Sequence, residues 1–178
     1  MNPLLVLILL ALAAGPSFAQ SAQPYAGLEG RPIKALSEQQ IADLRAGRGM
    51  GLALAAELNG YPGPMHVLEL ADALDLSGQQ RAKMQELFAA MKAEAIPLGE
   101  RLIAQEADLD NAFASKTITA ASLAASTEAI GATHAALRRT HLKYHLFAIE
   151  VLAPAQLQRY AELRGYKNGM QHPHGRHR

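Results

Sequence analysis

The chain has 178 residues, with 17 lysines and arginines against 16 acidic residues and no cysteine. This near balance of charge argues against a nucleic-acid-binding protein, which would need a concentrated basic face. The lack of cysteine excludes disulfides, thiolate metal sites and thiol catalysis. Tryptophan is absent and alanine and leucine abound, which indicates closely packed helices.

The first segment predicts export. Residues 2–19 carry no charge, and an apolar run over residues 4–14 ends ahead of the small residues Ser17 and Ala19. This order is typical of a secretory signal peptide, and the run is short for a membrane span. No lysine or arginine precedes it, so a retained membrane anchor is the alternative. We predict a signal peptide over residues 1–19, followed by a periplasmic mature chain of one domain.

A short phrase that predicts a helix start occurs three times. In a capping box, a serine oxygen accepts from a first-turn N–H while a glutamine three residues later reaches back to the cap. The third copy has lost the serine but has proline at the first helical position, which suits a helix start. The copies are Leu36-Ser37-Glu38-Gln39-Gln40, Leu76-Ser77-Gly78-Gln79-Gln80 and Leu152-Ala153-Pro154-Ala155-Gln156.

The remaining elements are all predicted to be helices or loops. After a flexible leader over residues 20–35, the domain is expected to cover residues 36–166. A histidine-containing, disordered tail should follow over residues 167–178, and the role of residues 49–64 is left open. In chain order we predict a first helix after Ser37, a glycine-rich break over 45–51, a helix over 52–58, a stop over 59–64, a short helix over 65–74, a long helix over 78–114, a turn over 115–119, a second long helix over 120–152 and a last helix over 154–164.

The two long helices predict the architecture. Their apolar residues recur in steps of four and three, which is typical of an antiparallel coiled-coil seam, and Pro97 should bend the first of them. The seam includes His134 and His141, and a turn near Thr117 would bring His141 level with Glu94. The predicted fold is all-α: a long bent antiparallel helical hairpin with short N-terminal and C-terminal helices packed across it.

Four residues form a candidate site for a divalent transition metal: zinc, nickel, cobalt or copper. His141 and His145 are one helical turn apart on one side of the second long helix, which suits two imidazoles on one ion. His66 and Glu69 on the short helix are the other candidates. The alternative is ordinary packing for the histidines and a solvated helix face for Glu69.

Other chemistry has less support. Leu142 and Lys143 follow His141, so the His-Glu-x-x-His signature of zinc hydrolases is absent. No Ser-His-Asp arrangement or phosphate loop is present, and we do not expect an enzyme. The tail histidines could bind metal weakly. The methionines are candidate copper(I) ligands or an adaptable client-binding surface: Met50, Met65, Met84 and Met91.

With its export signal and its motif copies at Leu76, Ser77 and Gln80 and at Leu152 and Gln156, the chain resembles the periplasmic heavy-metal sensor and Spy-like chaperone superfamily, the LTxxQ-motif proteins. The resemblance covers roughly residues 64–166. Ser77 and Ala153 replace the motif's threonine; Ser77 keeps the cap, whereas its loss at Ala153 typically costs about 1 kcal/mol.

The resemblance implies a hairpin that forms a homodimer, and it implies two functions. One is metal sensing or resistance, with a membrane-bound sensor or regulator as partner and a histidine pair such as His141 and His145 in the site. The other is an ATP-independent chaperone that holds unfolding clients on a concave face. The absence of a strongly basic cradle favours the first.

Overall fold

The computed structural model describes residues 24–166, and the predicted signal peptide and tail lie outside them. Residues 24–30 fall outside the unit that holds the rest of the described chain, and within them the Leu28 N–H donates to the Tyr25 carbonyl at 3.1 Å. That unit begins at Arg31 and carries every helix described below. Ile33 is buried in this unit, so its packed part begins before residue 36.

The described part of the chain is all-α, which confirms the predicted fold class. No strand occurs within residues 24–166, and no helix there is long and apolar enough to cross a membrane. The helices are α1 Glu38–Arg45, α2 Leu54–Glu57, α3 Pro64–Glu69, α4 Gly78–Ala114, α5 Ala120–Val151 and α6 Pro154–Leu163.

The predicted helix starts are confirmed by their caps. Ser37 and Ser77 each form a complete capping box, with Gln40 and Gln80 respectively. At the third copy, the Gln156 side chain still accepts from the Ala153 N–H at 2.9 Å, although alanine offers no cap oxygen. The copies therefore set the starts of α1, α4 and α6 where the sequence predicts them.

The short helix α3 ends earlier than predicted, at Glu69 rather than near residue 74. Beyond it the next two backbone hydrogen bonds span three residues instead of four. The Leu70 N–H donates to the Val67 carbonyl and the Ala71 N–H donates to the Leu68 carbonyl, both at 3.2 Å. Asp75 then has a φ of +49°, which a continuing helix does not allow. Residues 70–75 are turns that lead into the Ser77 cap.

Helices α4 and α5 form the predicted hairpin, and α4 continues through Pro97. The seam is packed most closely away from the turn, where Met84, Leu102 and Ala148 are almost fully buried. Nearer the turn, Phe113 is 54% exposed and His134 is also exposed. The prediction that His134 lies in the seam is wrong, because Thr133 is buried in its place.

Helix α1 crosses α4 at Gly99. A Cβ built on Gly99 would lie 2.5 Å from the carbonyl oxygen of Leu44, so the two backbones meet with no room for a side chain. Leu44 is 2% exposed and packs with Ala95 and Leu102 in one hydrophobic cluster. A second cluster joins α3, α4, α5 and α6 around Val67, Met84, Tyr144 and Tyr160. The candidate site lies on α2, α3 and α5, close to this second cluster.

Candidate functional site

The glutamines of the second and third motif copies, Gln80 and Gln156, have a structural role and do not form a binding site. The Gln80 amide donates to Gln156 Oε1 at 2.8 Å and to the Val151 carbonyl at 2.9 Å. The Gln156 amide donates in return to Gln80 Oε1 and to the Leu74 carbonyl, both at 3.1 Å. Each carboxamide oxygen also closes its own helix cap. All hydrogen-bonding groups of both side chains are thus satisfied, and the starts of α4 and α6 are tied together.

A cavity of about 450 Å³ brings three of the predicted metal ligands together. Its walls come from the glycine-rich segment 46–54, the start of α3 and one side of each hairpin helix. His66, His141 and His145 all line it, although they come from α3 and α5, far apart in sequence. Glu69 does not line it: this carboxylate is half-exposed and lies 3.9 Å from Arg164 Nη1.

The carboxylate at the cavity wall is Glu57, at the end of α2. Its side chain is 5% exposed, which is rare for a glutamate unless its charge is compensated. Oε1 accepts a short hydrogen bond from the Tyr160 hydroxyl and another from the Tyr166 hydroxyl at 3.1 Å. Oε2 accepts from the Gly63 N–H at 3.1 Å. The end of α6 therefore holds this carboxylate in place.

Two histidines and an arginine surround the same carboxylate. His66 Nδ1 lies 3.4 Å from Oε1, His145 Nδ1 lies 3.8 Å from Oε2, and Arg164 Nε lies 3.7 Å from Oε1. Burial by itself would raise the pKa of Glu57, but the contacts with His66, Tyr160 and the Gly63 N–H outweigh it and lower the pKa to about 2. Glu57 is therefore ionised at neutral pH and presents a buried negative charge beside two imidazoles.

His145 is oriented by the backbone. Its Nδ1 lies 2.6 Å from the Tyr61 carbonyl, a contact in which Nδ1 carries the proton and donates it. With Nδ1 held by the backbone, Nε2 is the ring nitrogen left for a ligand, the arrangement usual for histidines that bind metals. A Cβ built on Gly63 would lie 3.0 Å from Nε2, so only glycine allows the ring to approach the chain there.

His141 lies one turn before His145 and is 3% exposed. Burial, with a smaller contribution from His145, lowers the pKa of His141, so its ring is neutral at physiological pH. Its Nε2 is buried without a hydrogen-bond partner, whereas Nδ1 of His66 lies beside Glu57 Oε1 at 3.4 Å. An unpaired buried nitrogen costs about 1–3 kcal/mol, and a bound ion or water is a common explanation.

These donors fit a divalent transition metal by their chemistry. Imidazole nitrogen with a carboxylate suits zinc, nickel, cobalt or copper(II), and His141 carries an unpaired buried nitrogen. Among residues 24–166, however, no three histidine or carboxylate side chains already converge tightly enough to hold an ion. Metal binding would therefore require side chains around Glu57 to rotate.

Two sequence-based expectations about carboxylates differ from the structure. Glu94 is paired not with His141 but with Lys143 Nζ at 2.7 Å and with the Tyr144 hydroxyl at 2.8 Å. Glu57 was not among the predicted site residues. The only local signal for it was a lone glutamate in the apolar run over residues 52–58.

No protein-family model, no curated protein and no solved structure matches this chain.

Proposed function

We propose that this chain is an exported metal-binding protein of metal resistance or sensing, similar in kind to the heavy-metal sensors of the LTxxQ superfamily. The observation that carries the proposal is that His66, His141, His145 and the ionised Glu57 all line one cavity. The ligand class is a divalent transition metal. Glu57 takes the role that the sequence suggested for Glu69, because Glu57 is the carboxylate on the cavity wall.

The arrangement supplies what a sensor or carrier needs from its own residues. Glu57 is already ionised at neutral pH, so this carboxylate binds metal without first losing a proton. The site joins α2, α3 and α5, and Glu57 also contacts α6 through Tyr160. A change at Glu57 would therefore reach the C-terminal helix, where a regulatory partner or a second copy could respond to it.

The test is thermal unfolding of the purified protein in EDTA and then with zinc, nickel, cobalt or copper(II). The protein for this test carries asparagine in place of His172, His174 and His177, so that the tail contributes no imidazole. A ligand that binds only the folded state raises stability by mass action, by about 2.7 kcal/mol at a hundred times its Kd. We expect a rise of several degrees with at least one ion.

The variants His145→Ala and Glu57→Gln should each remove most of this rise, while His134→Ala, an exposed histidine on the same helix, should leave it intact. If no ion shifts the midpoint of the tail-substituted protein, the metal-binding proposal fails.

A second candidate function, chaperone activity, is favoured by a run of exposed apolar side chains on and after α2. Leu54 is 54% exposed, Leu58 58%, Tyr61 38% and Met65 40%. Such a patch is typical of a surface that binds other proteins. This reading expects the metal-free protein, as a dimer, to suppress aggregation of a reduced model client at equimolar ratio. Leu54→Ser with Leu58→Ser should abolish the suppression, and unchanged light scattering with the unsubstituted protein would rule it out.

A further inference from the structure

The methionines of the chain are unevenly distributed around the cavity. Of the four methionines in residues 24–166, Met50, Met65 and Met91 all line it. The fourth, Met84, is fully buried in the core and does not. Three thioether side chains therefore share one cavity with three imidazoles.

Core packing does not account for two of these three side chains. Met50 is 42% exposed and Met65 is 40% exposed, whereas Met91 is buried in the wall at 8%. Met50 also has a φ of +43°, in the left-handed region that favours glycine, and it stands between Gly49 and Gly51. A methionine held in a costly conformation without being buried calls for a role beyond packing.

The sulfur donors of this cavity favour a soft ion. Thioethers are neutral, weakly basic donors that select copper(I) among the biological metals.

A nitrogen donor lies on the same side of the cavity as Met50. A Cβ built on Gly49, the residue before Met50, would lie 3.4 Å from Nδ1 of His141. His141 is buried, with an exposed fraction of 3%, and its Nε2 has no hydrogen-bond partner. The loop that carries Met50 thus rests against a neutral, unpaired imidazole.

We propose that the cavity contains a second, soft metal site, in which the thioethers of Met50, Met65 and Met91 with His141 bind copper(I). This proposal takes His141 out of the divalent site, which keeps Glu57, His66 and His145. This inference rests on the proposed function in one respect, namely that metals enter this cavity. It adds that the methionine site and the divalent site bind different metals.

The experiment is an anaerobic competition for copper(I) against bicinchoninate, followed by the absorbance of the copper–bicinchoninate complex. All proteins carry asparagine at His172, His174 and His177 and leucine at Met170, so the tail adds no ligand. The test variant is Met50→Leu with Met65→Leu, since leucine preserves volume but has no sulfur. The matched control is Met84→Leu, a methionine that does not line the cavity.

We expect the tail-substituted protein to withdraw one equivalent of copper(I), the test variant to bind it at least tenfold more weakly, and Met84→Leu to bind it unchanged. Cobalt and nickel should still raise the unfolding midpoint of the test variant. Copper X-ray absorption of the loaded protein should show sulfur neighbours that the test variant lacks.

The inference is overturned if the tail-substituted protein fails to compete, or if the test variant binds copper(I) as tightly as its parent. It is also overturned if the test variant loses its response to cobalt and nickel together with copper(I), because the methionines would then belong to a single shared site. Loss of all divalent binding with methionine-dependent copper(I) binding intact would instead remove the proposed function and leave the soft site standing.

Discussion

Among single residues, Glu57 combines burial, charge and contacts from α3, α5 and α6. Its pKa falls from an ordinary 4.5 to about 2, which corresponds to at most about 3 kcal/mol of stability. Because the folded pKa is the lower one, this contribution is present above the unfolded pKa and is lost as the pH falls from 4.5 through about 2. Glu57 is therefore expected to stabilise the metal-free fold at neutral pH.

In EDTA at pH 7, Glu57→Gln should lower the free energy of unfolding by about 2–3 kcal/mol, and the difference from the wild type should shrink as the pH falls below 4.5. Urea unfolding at several pH values measures it. The matched control is Glu69→Gln, because that carboxylate is 51% exposed and its pair with Arg164 should contribute at most about 1 kcal/mol. A difference that stays constant with pH, or an equal loss in Glu69→Gln, would contradict the assignment.

The sequence could indicate three of the site's residues but not this fourth. His141 and His145 are visible from helical spacing alone, and His66 from its place after the strongest stop in the chain. Glu57 depends on Tyr160 and Tyr166, which lie 103 and 109 residues away in sequence. Burial of a carboxylate by such distant partners leaves no local pattern, whereas Glu69, three residues after His66, fits a helical pattern and yet points toward Arg164.

At the scale of helices, the contact between α1 and α4 depends on one missing side chain. Gly99→Ala would place a Cβ 2.5 Å from a backbone oxygen of α1, and backbone cannot move aside as a flexible side chain does. We expect a loss of about 1–3 kcal/mol, as for other overpacked substitutions, measured by urea unfolding. Gly131→Ala is the matched control, since nothing lies within 4 Å of its Cβ on α5.

The control should shift stability in the opposite direction. A glycine in an exposed helix interior costs about 1 kcal/mol relative to alanine, so Gly131→Ala should be stabilising. Equal effects of the two substitutions would mean that α1 does not pack on α4 at Gly99.

Helix starts could be predicted closely because their caps are local. Ser77 with Gln80 sets the start of α4, and Pro154 with Gln156 sets that of α6. The crossing of α1 over α4 could not be predicted, since a glycine inside a helix has the same sequence signature whether or not a backbone lies against it. The early end of α3 was also missed, because the apolar pattern continues through Leu70 and Leu74 after the regular helix has ended at Glu69.

For the molecule as a whole, the C-terminal part of the chain contacts the cavity's carboxylate, Glu57, through the hydroxyls of Tyr160 in α6 and Tyr166 just after it. Tyr160 is 2% exposed and donates to Glu57, and burial followed by this contact raises the pKa of Tyr160. Tyr144 is a counterpart elsewhere: it is 4% exposed, and burial with its bond to Glu94 raises its pKa to about 12. Both hydroxyls therefore stay protonated and donate to a carboxylate, but only one of those carboxylates faces the cavity.

Tyr160→Phe and Tyr144→Phe should accordingly have similar costs in stability, about 1–2 kcal/mol each, but different effects on metal binding. Partners that orient a ligating carboxylate typically change metal affinity by 10- to 100-fold, so Tyr160→Phe should weaken nickel or cobalt binding at least tenfold. Tyr144→Phe should leave it unchanged. Calorimetric titration of the tail-substituted proteins measures both affinities.

Whether Tyr160→Phe weakens or strengthens metal binding shows how α6 takes part in it. Weaker binding in Tyr160→Phe means that α6 positions Glu57 for the ion, and the C-terminal helix then stays docked when metal binds. Tighter binding would contradict this prediction, because it would show that the Tyr160 hydroxyl competes with the ion for Glu57. Metal binding would then break the Tyr160–Glu57 contact and release α6. An equal loss of affinity in both variants would mean that metal binding follows general stability rather than the Tyr160–Glu57 contact.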